Sequence, residues 1–309
     1  MAVIHFAPLQ GYTDSVYREA HTRVFGGVDT YYTPFVRIEK GGFRNKDLKD
    51  IACDRNRQVH VVPQLIASTP DEFRPIVRLF QENGYKEADI NLGCPFPMQV
   101  RAHRGSGLLR DKEAESLLRT IEEFPDISFS MKMRLGWECT DESFVLLSLL
   151  NKLPLKHITL HPRLGIQQYK GAIDWDGFSR FYDECELPLY YNGDLVGLED
   201  IRGIKERFPG LAGIMLGRGL LASPWLATEF VSGQVLTVNE RRDKLVMFHE
   251  SLMDEYAARL EGGEHQVLSK MKTIWDYLLP EADKRLRKKV LKSTSLTSYQ
   301  SAVKDLLSL

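Results

Sequence analysis

The string Asn91-Leu92-Gly93-Cys94-Pro95 sets a thiol between a glycine and a proline, directly after an apolar run. A thiol with a pKa of about 8.5 donates a proton at neutral pH, or attacks as a nucleophile where that pKa is lowered. A lone cysteine is most often a small buried apolar residue. Here the flanking Asn, Gly and Pro describe a shaped loop that opens on a pocket. Lys132, in Lys132-Met133-Arg134, also stands within an apolar run, where a lysine is seldom buried unless paired or bound to a ligand. It can neutralise negative charge on a ring or form a Schiff base. His161, in His161-Pro162-Arg163, can bind phosphate or act as a base. Asn192-Gly193-Asp194 and Gly217-Arg218-Gly219 are weak signals singly. Together they suit a phosphate, because glycines let backbone amides approach an anion and Arg218 adds a bidentate contact. No pair of His or Cys stands at a helical or hairpin ligand spacing, so no metal is expected.

These residues share a position: each group lies at the end of a strand-like run. Such runs occur at Val3–Leu9, Thr30–Phe35, Val59–Ile66, Ala88–Leu92, Ser128–Arg134, His157–His161, Pro188–Asn192 and Gly213–Leu216. They lack strict alternation, as strands buried on both faces of a parallel sheet do. Helix signals fall between them, opening at Thr69-Pro70-Asp71-Glu72 and over Asp111–Phe124, Asp141–Leu150, Asp174–Cys185 and Leu198–Phe208. The charged stretch around Gly41-Gly42 reads as a loop. Eight strands with mostly helical crossovers predict an α/β fold, a (β/α)8 TIM barrel, whose chemistry gathers at the C-terminal strand ends. A doubly wound sheet would carry a GxGxxG turn after its first strand, and none is present. Gln64 ends the third strand, which puts polar groups on six consecutive strand ends.

From Glu240 onward the pattern is helical: Arg241–Leu260, His265–Leu279, Glu281–Lys292 and Ser295–Leu307. This divides the chain into a barrel, 1–235, and a small all-helical domain, 236–309. The tail holds 13 Lys+Arg and 11 Asp+Glu; the remainder, from chain totals of 41 and 42, holds 28 and 31. Lys284, Arg285, Arg287, Lys288, Lys289 and Lys292 crowd into nine positions. Such a cluster is either a solvated helix face or a site for phosphates. With 43% hydrophobic and 27% charged residues, the composition is neither disordered nor membrane-like. No apolar run reaches a span's length and no basic stretch precedes an apolar core at the N-terminus, so neither a membrane anchor nor a secretory leader is expected. Four scattered cysteines at 53, 94, 139 and 185 fit a reducing, cytoplasmic setting.

Ala7-Pro8-Leu9-Gln10-Gly11-Tyr12-Thr13-Asp14, Asn91-Leu92-Gly93-Cys94-Pro95, Gly105-Ser106-Gly107-Leu108-Leu109, Lys132-Met133-Arg134-Leu135-Gly136 and the His161, Asn192 and Gly217 motifs, taken in this order, resemble the tRNA-dihydrouridine synthases. The match runs from Phe6 to about Pro224, and the helical tail agrees with the family's second domain. The resemblance implies an FMN-bound barrel that reduces selected tRNA uridines with NADPH, hydride passing from flavin N5 to uracil C6. Cys94 would then be the acid that protonates C5. Pro8 and Leu9 would lie against the isoalloxazine, Gln64 would bond its polar edge, and Lys132 would approach its pyrimidine end. His161, Asn192, Asp194, Gly217 and Arg218 would hold the ribityl chain and phosphate. Asn91 and Arg134 would contact the flavin or the target base.

A target uracil must leave its stack to enter a barrel, which calls for a basic approach surface. Arg37, Lys40, Arg44, Lys46, Arg101, His103 and Arg104 fall in loops after the second and fourth strands, and Lys284, Arg285, Arg287 and Lys288 supply a grip in the tail. A monomer is the simplest form for docking a bulky RNA. Two departures stand out: the family's opening signature carries Met-Glu where this chain has Leu9-Gln10, and the Cys94 loop holds the basic Arg101-Ala102-His103-Arg104. Both bear on which RNA site is accepted. The alternatives are an FMN barrel reductase of a small molecule, a non-catalytic RNA-binding barrel and a Lys132 Schiff-base lyase.

Overall fold

The computed structural model describes residues 3–52 and 54–308; Cys53, to which the sequence gives no role, lies outside them. The barrel strands are β1 (Val3–Phe6), β2 (Thr30–Tyr32), β3 (Val61–Val62 and Gln64–Leu65), β4 (Glu87–Leu92), β5 (Ser128–Gly136), β6 (Leu155–Leu164), β7 (Leu189–Tyr191) and β8 (Gly213–Leu216). All pair in parallel, β2–β1–β8–β7–β6–β5–β4, with β3 meeting β2 through its first piece and β4 through its second. The sheet's two ends are thus adjacent residues of one strand, and the ring closes at Pro63. Proline has no N–H to give the ladder, which splits the strand there. Its carbonyl still accepts the Asp89 amide at 2.9 Å.

Helices cover the outer face because each presents one apolar stripe to the sheet. Pro70–Glu82 buries Phe73, Ile76, Val77 and Phe80, and the Thr69 hydroxyl caps it by accepting from the Glu72 amide at 3.3 Å. Asp141–Leu150, Trp175–Glu184 and Leu198–Arg207 fall within a residue of expectation at each end. The stretch predicted as a helix over Asp111–Phe124 is a short α-helix, Ala114–Arg119, continued by the 3-10 turn Thr120–Glu123. The stretch read as a loop holds a hairpin, Ile38–Glu39 with Gly42–Phe43, and a helix, Asn45–Ile51. Ser15–Val24 is a further helix that the sequence pattern did not single out. Its buried stripe includes Arg18 and His21, which mask the period. The two terminal nitrogens of Arg18 donate to the Thr13 carbonyl, Asp50 and Asn56, while its Nε finds no acceptor among the described residues.

Four tail helices follow: Val238–Arg259, Gly263–Ile274, Lys284–Lys292 and Leu296–Leu307. Trp275 Nε1–H donates to the Tyr299 hydroxyl at 2.8 Å, and His249 lies 2.8 Å from the same oxygen, so this bundle has its own polar centre. It leans on the barrel: Phe248 packs edge-on against Tyr17, and Lys270 pairs with Asp14 at 2.8 Å. The helix expected to reach Leu279 stops at Ile274. Beyond it Leu279 turns to positive φ and its amide bonds the Ala222 carbonyl at 3.1 Å, which pins the tail to the short helix after β8, Arg218–Ala222. Among the described residues, no helix is long and apolar enough to cross a membrane.

Candidate active site

The strand ends converge on a cleft of about 470 Å³ across the C-terminal mouth. Pro8, Leu9 and Met215 give it apolar surface, Lys132, Arg134 and His161 come from β5 and β6, and the Asn192 and Gly217 loops close one end. A second chamber of about 150 Å³ adjoins it, lined by Asn91, Cys94, Pro95, Phe96 and Phe35. Pro8, Leu9, Gly93, Lys132, Tyr169, Arg218 and Tyr277 line both, so the two form one continuous hollow.

A buried chain of hydrogen bonds fixes the Cys94 loop. Asp89 accepts from the Ser130 hydroxyl at 2.6 Å and from Gln64 Nε2 at 2.7 Å. Gln64 Oε1 accepts from Asn91 Nδ2 at 2.7 Å, and Asn91 Oδ1 accepts the amides of Gly93 and Cys94 at 3.0 and 2.8 Å. Backbone amides only donate, and a carboxylate only accepts, so the orientation of both side-chain amides follows from the two ends. Burial pushes the Asp89 carboxyl up to about 6. Arg134 braces the loop from β5, donating to the Gly93 and Leu164 carbonyls at 3.0 and 2.8 Å. On the other side Gly105 presses on Cys94: a Cβ there would lie 2.7 Å from the Cys94 carbonyl oxygen, which itself accepts from Ser106. Cys94 is 8% exposed, and burial raises its thiol pKa against the weaker opposing pull of the Phe96 backbone amide and, after it, of Arg134 and Lys132. The group at the chamber wall is therefore a protonated thiol.

Lys132 stands where the two chambers meet and makes no hydrogen bond or ion pair with any described residue. Burial, aided by Arg134, lowers its pKa to about 8. At the far end, Asp194 adopts a positive φ and is held by Arg163 and, at 2.9 Å, by Arg218 Nη2. His161 is kept neutral by burial and by the surrounding cations. Its Nε2 faces Arg163 Nη1 at 3.3 Å, which assigns the ring proton to Nδ1. Asn192 Nδ2 donates to the Met215 carbonyl at 2.7 Å. The amides of Gly193, Gly217, Arg218 and Gly219 donate to no described residue. Gly219 is obligatory, since a Cβ would meet the Leu195 carbonyl oxygen at 2.0 Å. Apolar surface, an unpartnered ammonium and free amides beside a guanidinium at one end are a donor set that fits a flat ring carrying a phosphate, as FMN does.

Some sequence expectations change here. Gln64 is fully buried with both ends of its amide engaged, so it acts beneath the hollow rather than in its wall. Arg104 is bound to Glu72 and the Ile38 carbonyl, Arg44 to Asp47, and Arg37 to Glu39. In the tail, Arg287 donates to the Trp275 carbonyl and Lys289 pairs with Asp305. His103 lies 2.6 Å from Asp111. Of the basic residues picked out in the sequence, Lys40, Lys46, Arg101, Lys284, Arg285, Lys288 and Lys292 stay exposed and without a described partner. Conversely, Tyr169, Asp276, Tyr277 and Pro280 line the cleft though sequence reasoning passed over them. Tyr169 lies under the guanidinium groups of Arg134 and Arg218, at 5.4 and 4.7 Å. Its sequence surroundings carry no signal; Tyr277, in the tail, was reachable only by knowing that the tail folds back. No group of three or more His, Cys, Asp or Glu that could hold a metal occurs among the described residues.

The family model described as dihydrouridine synthase matches residues 5–307. The chain is 30% identical over 245 residues to a tRNA-dihydrouridine(16) synthase of Pseudomonas syringae pv. tomato, covering 75% of each. It is 28% identical over 240 residues to the Pseudomonas putida protein of that name, covering 75% of this chain and 74% of the other. A probable tRNA-dihydrouridine synthase of Rickettsia conorii is 26% identical over 265 residues, covering 82% and 78%. Among solved structures, morphinone reductase in complex with tetrahydroNAD superposes with a TM-score of 0.54 at 10% identity, covering 76% and 88%. The old yellow enzyme from Trypanosoma cruzi gives 0.50 at 11%, covering 76% and 89%. The last two are likenesses of fold.

Proposed function

The chain belongs to the dihydrouridine synthase family, and from that premise we propose that it reduces uridines in tRNA to 5,6-dihydrouridine, with FMN in the larger cleft and NADPH as reductant. The observation that carries this reading is the joined pair of chambers. One has a phosphate-suited end, and the other is of the size that takes a single six-membered ring. Cys94 stands only at the smaller. When bound, the flavin supplies the hydride that adds to C6 of the uracil.

The chain's own groups do the rest. The free amides of Gly193, Gly217 and Arg218, with the Arg218 side chain, hold a phosphate, and His161, Asn192 and Asp194 face the chain that carries it. Pro8 and Leu9 form an apolar wall, and Lys132 supplies positive charge at the junction. Cys94 holds the proton that C5 requires, and its raised pKa keeps that proton in place until C5 gains enolate character. Asn91 and Arg134 set the Cys94 loop against the target ring. The free thiols at 94, 139 and 185 suit the reducing cytoplasm, where we place a monomer.

Residues 236–309 then serve as the RNA-facing helical domain. Pro280 lines the cleft and Lys284 follows four residues later, within about 14 Å of chain. Lys284, Lys288 and Lys292 are spaced one turn apart, which makes a stripe for the phosphate backbone. In a Lys284→Glu, Lys288→Glu double variant, tRNA binding should weaken about tenfold at moderate salt. The slope of log affinity against log salt should shrink by roughly 1.4 to 1.8. The flavin spectrum should not move. An unchanged slope would make the stripe an ordinary solvated face. The proposal as a whole is tested by incubating FMN-loaded protein with NADPH and an unmodified tRNA transcript. Uridines carrying two added hydrogens support it, and an unaltered transcript under those conditions overturns it.

A further inference from the structure

Two large apolar side chains stand in water beside the smaller chamber: Phe96, 60% exposed, and Met98, 67% exposed. Single exposed apolar residues are ordinary. These two, however, follow Cys94 in the segment Cys94-Pro95-Phe96-Pro97-Met98, and Phe96 lines the chamber itself. The segment is stiff. Each proline fixes its own φ, and Pro97 keeps the residue before it extended; Phe96 has φ −66° and ψ 132°. The Phe96 carbonyl accepts from the Gln99 and Val100 amides at 2.9 and 3.1 Å, and both of those residues are buried. The ring is therefore held out from a fixed base, and little freedom is lost when something packs on it.

The surroundings indicate what packs there. Arg37 Nη2 reaches Met98 Sδ at 3.9 Å, and Arg104 ties the neighbouring hairpin to this loop through the Ile38 carbonyl. Lys40 at the hairpin turn and Arg101, one turn after Pro97, are exposed with no described partner. The carboxylate of Glu39 is engaged by Arg37 at 2.8 Å. With Arg104 and its partner Glu72 counted, four cations stand against two anions in the loops beside this exposed ring, which favours a partner that brings both phosphates and flat bases.

Resting on the uridine-reducing reading above, we propose that Phe96, with Met98 beside it, is a stacking wedge for the RNA. Its ring lies against the nucleotide next to the target uridine and fills the gap left when that uridine enters the chamber beside Cys94. A base extruded from its stack loses the contact of its neighbour. Stacking of a base on an aromatic side chain is worth about five- to hundredfold in binding.

The test compares parent, F96A, F96Y and F96W, each loaded with FMN, on an unmodified tRNA transcript. F96A should lose about tenfold or more in kcat/KM, and F96Y and F96W should stay within about threefold of parent. In F96W, added tRNA should quench emission beyond the change seen in the parent, whose tryptophans are elsewhere. A parent-like F96A, or equal losses in F96A and F96W, overturns the wedge and leaves the uridine-reducing reading standing. A parent that forms no dihydrouridine overturns that reading and the wedge with it.

Discussion

Cys94→Ala slows uridine reduction by about 10²- to 10⁴-fold and leaves FMN in place, the range expected when a general acid is removed. The separation of the two effects follows from how the loop is held. Asn91 binds the backbone amides of Gly93 and Cys94, Ser106 binds the Cys94 carbonyl, and Gly105 packs against it. None of these contacts uses the sulfur. The phosphate-suited end of the cleft is built from other loops and does not sense the change. Burial raises the parent thiol above the ordinary range, so the acid stays protonated through neutral pH and its proton is lost only on the alkaline limb, where Lys132, lowered to about 8, also gives up its charge. Single-turnover measurements from pH 6 to 10 check both statements. Normal turnover in the alanine variant would remove Cys94 from the chemistry.

Arg218→Ala weakens FMN binding by roughly ten- to a hundredfold, because a hydrogen bond to a charged group is worth about 1.5–3 kcal/mol. Two changes act together. The guanidinium is lost from the Gly217 loop, and Asp194 keeps only Arg163 as a cationic partner, which brings negative potential toward the place of the phosphate. Without FMN the effect on melting should be small, since the Arg218–Asp194 pair is partly open to water and such pairs contribute little. A fluorescence titration of apoprotein with FMN measures the loss. An unaltered dissociation constant would put the phosphate elsewhere.

The barrel was legible because parallel strands buried on both faces read as largely apolar runs, as Gly213–Leu216 does, and because polar motifs follow those runs at their C-terminal ends. The family resemblance, seen from Phe6 to about Pro224, extends over residues 5–307 in the family model. What escaped depends on partners distant in sequence. The helix Ser15–Val24 buries Arg18, whose acceptors Asp50 and Asn56 lie 32 and 38 residues away, so no local pattern declares it. The same holds for the tail wall of the cleft, where Tyr12 bonds Asp276 across 264 residues. Basic residues were visible, but not which ones ion pairs engage. Arg104 finds Glu72 and Arg44 finds Asp47, whereas Lys284 and Lys288 face water. Gln64 was placed at the right strand end and on the wrong side of the wall, because its partner Asp89 comes from the neighbouring strand.

The central claim, a flavin that passes reducing equivalents from NADPH to tRNA, is tested most directly by the visible spectrum of the purified protein followed through one cycle without oxygen. The account predicts FMN absorption that NADPH bleaches and that unmodified tRNA restores, with one dihydrouridine formed per flavin reoxidised. A protein that cannot be reconstituted with FMN, or a reduced flavin that tRNA leaves bleached, would contradict it.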